Sequence, residues 1–370
     1  MNVLLFVDGD YFQLMLAIHM KMTILKENNV DLFLRIYNKE STEPILKKLE
    51  AENLFNKIQI INDPYNLTNK PELDKKFRKR LLKLKCILFP KKILYETGIQ
   101  ANTLNYDSFI SMTLWFPLDR VLFAMIKRKN TNCKCYCVAE LLAWSGPFIK
   151  KNDFLDKLAN FLHYPKMEQH FCGTYLLPTS IPENEIFPFI EIPSPDENND
   201  LFPLLNRIWD YQQIEIVKEK YIFLTDSFAS LKDDDIVEVA LKVAEIVGKD
   251  NMIVKLHPRS KDKERFLENG FKLFPKYEFP FELYLKNNDC SNKILIARYT
   301  SSVLSGYIWG AKEPLKLFIY YKCTYHLKMF WYHISKHIYK IDKKFYSLGN
   351  SRIECPNTFE EFYEMLRKVS

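Results

Sequence analysis

The strongest constraint on the fold is a rhythm of short apolar runs separated by helix-length amphipathic stretches, met twice along the chain. Residues 2–7 form an apolar run, and Asp8-Gly9-Asp10 reads as the turn after it. Residues 11–26 then carry Phe12, Met15, Leu16, His19 and Met22 at helical spacing. Residues 30–37 read as a second strand, 42–52 as a polar helix and 58–61 as a third strand. Strand, helix, strand, helix, strand at these intervals predicts a doubly wound parallel α/β sheet. Residues 93–97, 116–127 and 133–140 continue it as strand, helix and strand, so the first domain is taken as 1–185. Residues 182–199 hold four prolines and a cluster of acids, which suits a connection between domains.

The rhythm then restarts. Residues 221–225 read as a strand, 226–232 as a loop, and Asp233-Asp234-Asp235 opens a helix stopped by Gly248. Residues 252–257 are a strand, Pro280-Phe281-Glu282 begins a short helix, and 294–297 is another strand. Thr300-Ser301-Ser302 leads into a helix over 303–309, and 315–320 is a further strand. Asn357, with Glu360 three residues on, is expected to cap a C-terminal helix. The second domain is taken as 200–350, followed by the helix at 355–370.

Composition narrows the functional classes. A hydrophobic content of 47% with 15% aromatics supports two packed cores and argues against disorder. A net charge of +7 over 370 residues suits an anionic substrate or an acidic membrane surface, and is too diffuse to indicate nucleic acid. No secretory signal or transmembrane run is read, so a cytoplasmic protein is expected; the cationic stretch 73–88 reads as a solvated surface helix, with peripheral contact to the inner membrane as the alternative. Of the 8 cysteines, Cys133, Cys135 and Cys137 alternate along one face of a strand, and they are expected to be reduced structural thiols. The run 320–346, with His326, His333 and His337, is expected to be core and interface, and no metal is expected.

Two strand ends carry the candidate chemistry. Proline ends the strand Met-Ile-Val-Lys-Leu-His at His257, leaving an imidazole beside Arg259 and two residues beyond Lys255. Ligands bind beyond the carboxyl ends of strands in open α/β sheets, so His257 either caps its strand or faces an anion such as a phosphate. Ser301-Ser302 lies beyond a later strand end at a helix start, where hydroxyls and free N–H groups cradle phosphate. A P-loop, a G-x-G-x-x-G fingerprint and an Asp-x-Asp metal motif are missing, which favours a metal-free site for a donor whose leaving group carries one phosphate.

With these residues in place, the sequence resembles the bacterial lipooligosaccharide sialyltransferases, glycosyltransferase family 52. The resemblance lies in Asn2-Val3-Leu4-Leu5-Phe6 followed by Gln13 and Ala17, and in the stretch from Leu84 to Tyr95 around Phe89-Pro90-Lys91. It continues in His257-Pro258-Arg259, in Phe281-Glu282-Leu283-Tyr284, and in the segment Tyr299 to Ser302. Such a resemblance implies a GT-B fold, two Rossmann-like parallel-sheet domains with a cleft between them. It also implies inverting, cofactor-free transfer of sialic acid from CMP-sialic acid to a terminal galactose of a bacterial surface glycan, and it suggests a homodimer. His257 would be the general acid, Ser301 and Ser302 would hold the phosphate with Lys255, Pro258, Arg259 and Thr300, and Glu282 would take the ribose or base. Asp233 is the expected base, Asp226 the next, with Asp234 and Asp235 also allowed by spacing. Gln13 and Glu140 would lie on the acceptor side. Where relatives carry an acidic-acidic-Gly motif, this chain reads Glu140-Leu141-Leu142, with Ser145-Gly146 further on. The alternatives are a same-fold transferase using another sugar nucleotide, such as a glucosyltransferase, and a non-catalytic relative.

Overall fold

The structure is a computed structural model and describes residues 1–8, 11–35, 39–61, 81, 84–112, 117–138, 154–162, 167, 170–178, 188–211, 217–226, 235–258, 260–275, 279–298, 300, 302, 309–312, 314–324 and 352–370. The chain divides into two units, Met1–Pro193 and Ser194–Ser370.

The first unit runs β1 (Asn2–Asp8), α1 (Tyr11–Met22), β2 (Asn29–Arg35), α2 (Lys39–Ala51), β3 (Lys57–Ile61) and α3 (Pro90–Glu96). It continues with β4 (Ser108–Ser111), α4 (Pro117–Lys129), β5 (Lys134–Val138), α5 (Phe154–Phe161), β6 (Phe171–Leu176) and β7 (Phe189–Glu191). The strands form one sheet in the order β3-β2-β1-β4-β5-β6-β7, parallel at every pairing. A parallel sheet is covered on both faces, which is why β1 is an unbroken Val-Leu-Leu-Phe-Val run with no exposed side chain from Val3 to Val7. Helix α1 is apolar nearly all round and buried from Phe12 to Met20, with the His19 ring held by the Pro193 carbonyl at 2.7 Å.

Two expectations for this unit need correction. Residues 93–97 are not a strand but the second half of helix α3 and its end. Pro90 sits at the helix start, where its fixed φ and missing N–H cost nothing, and Ile93 and Leu94 turn inward. An apolar run of three residues fits either period. The strand beside β1 is instead β4, Ser-Phe-Ile-Ser, whose serines are buried and hid it. Cys133, Cys135 and Cys137 are buried around β5, and burial pushes the Cys133 thiol up to about 11. Such thiols stay protonated at neutral pH.

The second unit runs α6 (Leu201–Ile208), β8 (Tyr221–Leu224), α7 (Ile236–Val247), β9 (Met252–Lys255), α8 (Lys263–Glu268) and β10 (Lys272–Leu273). It ends with α9 (Phe281–Asn287), β11 (Ile294–Ala297), β12 (Lys316–Ile319), β13 (Ile353–Glu354) and α10 (Phe359–Arg367). Its sheet has the order β10-β9-β8-β11-β12-β13, again parallel throughout. Helix α7 buries Val239, Ala240, Val243 and Val247 against that sheet and against Phe362 and Leu366 of α10. The cap of α10 is Thr358 rather than Asn357. Its hydroxyl accepts from the Glu361 N–H at 3.2 Å, while the Glu361 carboxylate accepts from the Asn357 N–H at 2.7 Å. The cap is therefore shifted by one residue from the sequence expectation, and the Glu361 carboxylate reaches the N–H of the residue before the cap rather than that of the cap itself. The stretch 73–80, the helix expected at 303–309 except Trp309, and the three histidines of 320–346 lie outside the described residues.

Candidate active site

In the second sheet the chain begins at β8, steps outward to β9 and β10, then returns to the other side of β8 for β11. The edge between β8 and β11 is therefore the topological switch point, where open α/β sheets bind ligands beyond the strands' carboxyl ends. Leu224 is level with Lys255 on one side and Ala297 on the other. The residues just beyond, Thr225-Asp226, Leu256-His257 and Arg298, consequently emerge side by side.

Both members of the Thr225-Asp226 corner are tied to a neighbouring strand end. The Thr225 N–H donates to the Lys255 carbonyl at 3.1 Å, and the His257 N–H donates to the Thr225 hydroxyl oxygen at 2.7 Å. Asp226 turns the other way. Arg298 donates to its two oxygens from Nε and Nη2, each at 2.7 Å, and both side chains are buried. A bidentate, charge-assisted pair of this kind has a defined geometry and clips β8 to β11 across the switch point. Beyond the strand, Ser260 donates to the His257 carbonyl at 2.8 Å. That closes a turn with Pro258 at its second position, which proline's fixed φ favours.

A second group lies at the same edge. Lys255 is buried, with Nζ 3.3 Å from the Leu256 carbonyl and 5.5 Å from the centre of the Phe279 ring. Burial pushes its pKa down to about 7, and the Glu282 carboxylate pulls part of the way back. Glu282, in the first turn of α9 and also buried, accepts a bond from the Ser302 hydroxyl at 3.2 Å. The Ser302 N–H in turn donates to the Thr300 hydroxyl at 3.4 Å. Lys255, Glu282 and Ser302, from three separate segments, thus meet in one polar group.

Of the residues singled out in the sequence, Lys255, His257, Pro258, Glu282, Thr300 and Ser302 lie at or beside this edge. Asp226 is there too, but Arg298 occupies both of its oxygens, an arrangement suited to bracing strands rather than to taking a proton from a substrate hydroxyl. Asp235 is the N-cap of α7, accepting from the Val237 and Glu238 N–H groups, and it is paired with Arg265 at 2.7 Å. Burial disfavours its charge, yet the Arg265 bond and the helix N–H groups outweigh this and hold its pKa below the usual carboxylate value. Gln13 is buried in α1 of the first unit. Asp233, Asp234, Glu140, Arg259 and Ser301 lie outside the described residues. Sequence reasoning missed Thr225 and Arg298. The sequence shows Asp226 and Arg298 only singly, each as a charge after an apolar run; their pairing needs the strand order β8-β11. Among the described residues no three His, Cys, Asp or Glu side chains gather as a metal-binding group.

Two all-parallel α/β units wound in this way are the GT-B architecture. Solved structures of GT-B glycosyltransferases share it. The calicheamicin glycosyltransferase CalG4 overlaps 99% of this chain and 88% of its own, with a TM-score of 0.53 and 8% identity. Arabidopsis thaliana UGT89C1 complexed with UDP covers 100% of this chain and 90% of its own, with a TM-score of 0.51 and 11% identity. An α/β-galactoside α-2,3-sialyltransferase from Photobacterium phosphoreum covers 96% and 98%, at 9% identity and a TM-score of 0.46, too loose an overlap to carry weight. No protein-family model matches the sequence, and no curated protein does.

Proposed function

We propose that this chain is a glycosyltransferase that moves sialic acid from CMP-sialic acid to a terminal galactose of a bacterial surface glycan, with inversion and without a metal. The observation that carries the proposal is the convergence of Lys255, Glu282 and Ser302 at the sheet edge from which His257 emerges, beside the switch point of the second unit. Nucleotides bind at that place in doubly wound sheets. A lysine and a serine hydroxyl supply charge and donors for one phosphate, and Glu282 offers an acceptor for ribose hydroxyls. Pro258, Arg259, Thr300 and Ser301 complete the donor side in this reading.

In the reaction, a galactose hydroxyl oxygen bonds to the anomeric carbon of the sialic acid while the bond from that carbon to the phosphate oxygen breaks. His257 gives its proton to the departing phosphate, and Asp233 takes the proton of the attacking hydroxyl. The reference pKa of imidazole, about 6.5, matches a proton donor acting near neutrality. Asp226 serves to hold β8 against β11, and Gln13 and Glu140 face the acceptor.

A second reading, transfer from a different sugar nucleotide, is favoured by Glu140-Leu141-Leu142 standing in place of the relatives' acidic motif. The likeness in fold to an enzyme crystallised with UDP adds to it. A donor panel separates the two. CMP-sialic acid and several UDP- and TDP-sugars are each incubated with lactose-type acceptors in the presence of a chelator, and the freed nucleotide is measured. Release of CMP alone is expected. Release of UDP or TDP without CMP would replace the sialyltransferase reading with the second one.

A further inference from the structure

The first unit carries large apolar side chains that no core claims. Six of the ten exposed large hydrophobics among the described residues fall on two neighbouring stretches: Leu81, Leu88, Phe89 and Tyr95 on one, Phe154 and Phe161 on the other. Tyr95 is 83% exposed, Phe154 78%, Phe161 79% and Phe89 56%, so these are side chains standing in water rather than half-packed edges. The stretches share a base. Ile87 of the helical segment 84–88, Ala124 of α4 and Ala159 of α5 pack together. Arg120 and Arg128 of α4 donate to Asn160 at 3.1 Å and to the Leu162 carbonyl at 3.3 Å. The segment 84–88 and α5 therefore flank the same helix, and α3 leads straight on from that segment.

Cations interleave with the aromatics. Phe154, Lys157 and Phe161 stand at i, i+3 and i+7, one exposed stripe of α5, and Lys91 and Tyr95 stand at i and i+4 on α3. Lys85, Lys91, Lys92 and Lys157 are all exposed. The sequence just before residue 84 holds Lys75, Lys76, Arg78, Lys79, Arg80 and Lys83 against Asp74. We infer that this face of the first unit docks on an anionic lipid bilayer, its aromatics entering the headgroup layer and its lysines meeting lipid phosphates. Aromatic side chains bordered by lysines are what a membrane interface selects, and exposed apolar patches of this kind mark interaction surfaces. A second copy of the chain is the poorer occupant. In a two-fold contact the same lysine-bearing patch of both copies would be brought together, and like charges repel. The inference does not depend on which donor the second unit uses.

The test is co-sedimentation of the full chain with vesicles of phosphatidylcholine alone and of phosphatidylcholine mixed with phosphatidylglycerol, at low and high salt. Binding is expected to the anionic vesicles only, and it weakens as salt screens the lysines. Phe154→Ser with Phe161→Ser, and separately Lys91→Glu with Lys92→Glu, should each lower the partition coefficient by about tenfold or more. Tyr95→Ser provides a milder third variant. All these side chains are exposed, so the thermal midpoint and nucleotide binding should stay as in the parent. A parent chain that ignores anionic vesicles would overturn the inference. So would variants that bind like the parent. Self-association that the same substitutions abolish, without vesicle binding, would assign the patch to a second copy instead.

Discussion

Lys255 is the residue whose charge matters most near neutral pH. Burial places its folded-state pKa at about 7, against an ordinary value of 10.5. Because that pKa is lowered, protonated Lys255 penalises the folded state. The penalty is complete below pH 7 and is relieved as pH climbs from 7 towards 10.5. Lys255→Met should therefore raise the chemical-denaturation midpoint at pH 6 and have little effect near pH 10. An arriving phosphate reverses the preference, since the anion favours the ammonium. Nucleotide binding should take up a proton in buffers at and above pH 7, and affinity should fall as pH rises from there. Calorimetry in two buffers of different ionisation enthalpy measures that uptake, and Lys255→Met should abolish it. The Asp226–Arg298 pair makes a different prediction. Arg298→Met strands a buried carboxylate and should cost about 3–5 kcal/mol, whereas Asp226→Leu combined with Arg298→Met should recover most of that stability. These partners were individually visible in the sequence as charges after apolar runs. Their pairing was not, because it needs the order β8-β11, which skips two intervening strands.

At the scale of elements, legibility followed apolar contrast. The strands β9 and β11 were readable because four buried apolar or lysine-capped positions stand between polar loops. Strand β4 was not, because its ends are serines that only the sheet buries. Helix α3 reads as a strand because its buried Ile93 and Leu94 fit either period, and only Pro90 at its start marks a helix. Two element-level predictions follow from caps and turns. Thr358→Ala removes the hydroxyl that caps α10 and should cost about 1 kcal/mol in urea denaturation. Gly310 has φ +64, and a Cβ there would stand 2.5 Å from the Asp196 Cβ. Gly310→Ala should therefore destabilise the second unit by roughly 1–3 kcal/mol, adding left-handed strain to a clash with little freedom to yield.

At the scale of the molecule, the strand–helix alternation met twice is enough to specify two parallel sheets, and both have the winding that creates a switch point. What alternation cannot specify is chemistry, which rests on a few side chains at strand ends. The second unit gathers Lys255, Glu282 and Ser302 there, with His257 emerging from the same edge, while the expected base Asp233 lies outside the described residues. Among the described residues no helix is long and apolar enough to cross a membrane. Whether His257 faces the leaving phosphate as a proton donor, rather than merely ending β9, is decided by steady-state transfer from CMP-sialic acid to lactose by the parent chain and by His257→Ala, with sialyl-lactose quantified by mass spectrometry. A proton-donating His257 predicts product from the parent and a kcat at least ~100-fold lower in the variant, with the KM for donor changed little. A His257→Ala chain with parental kcat would contradict it.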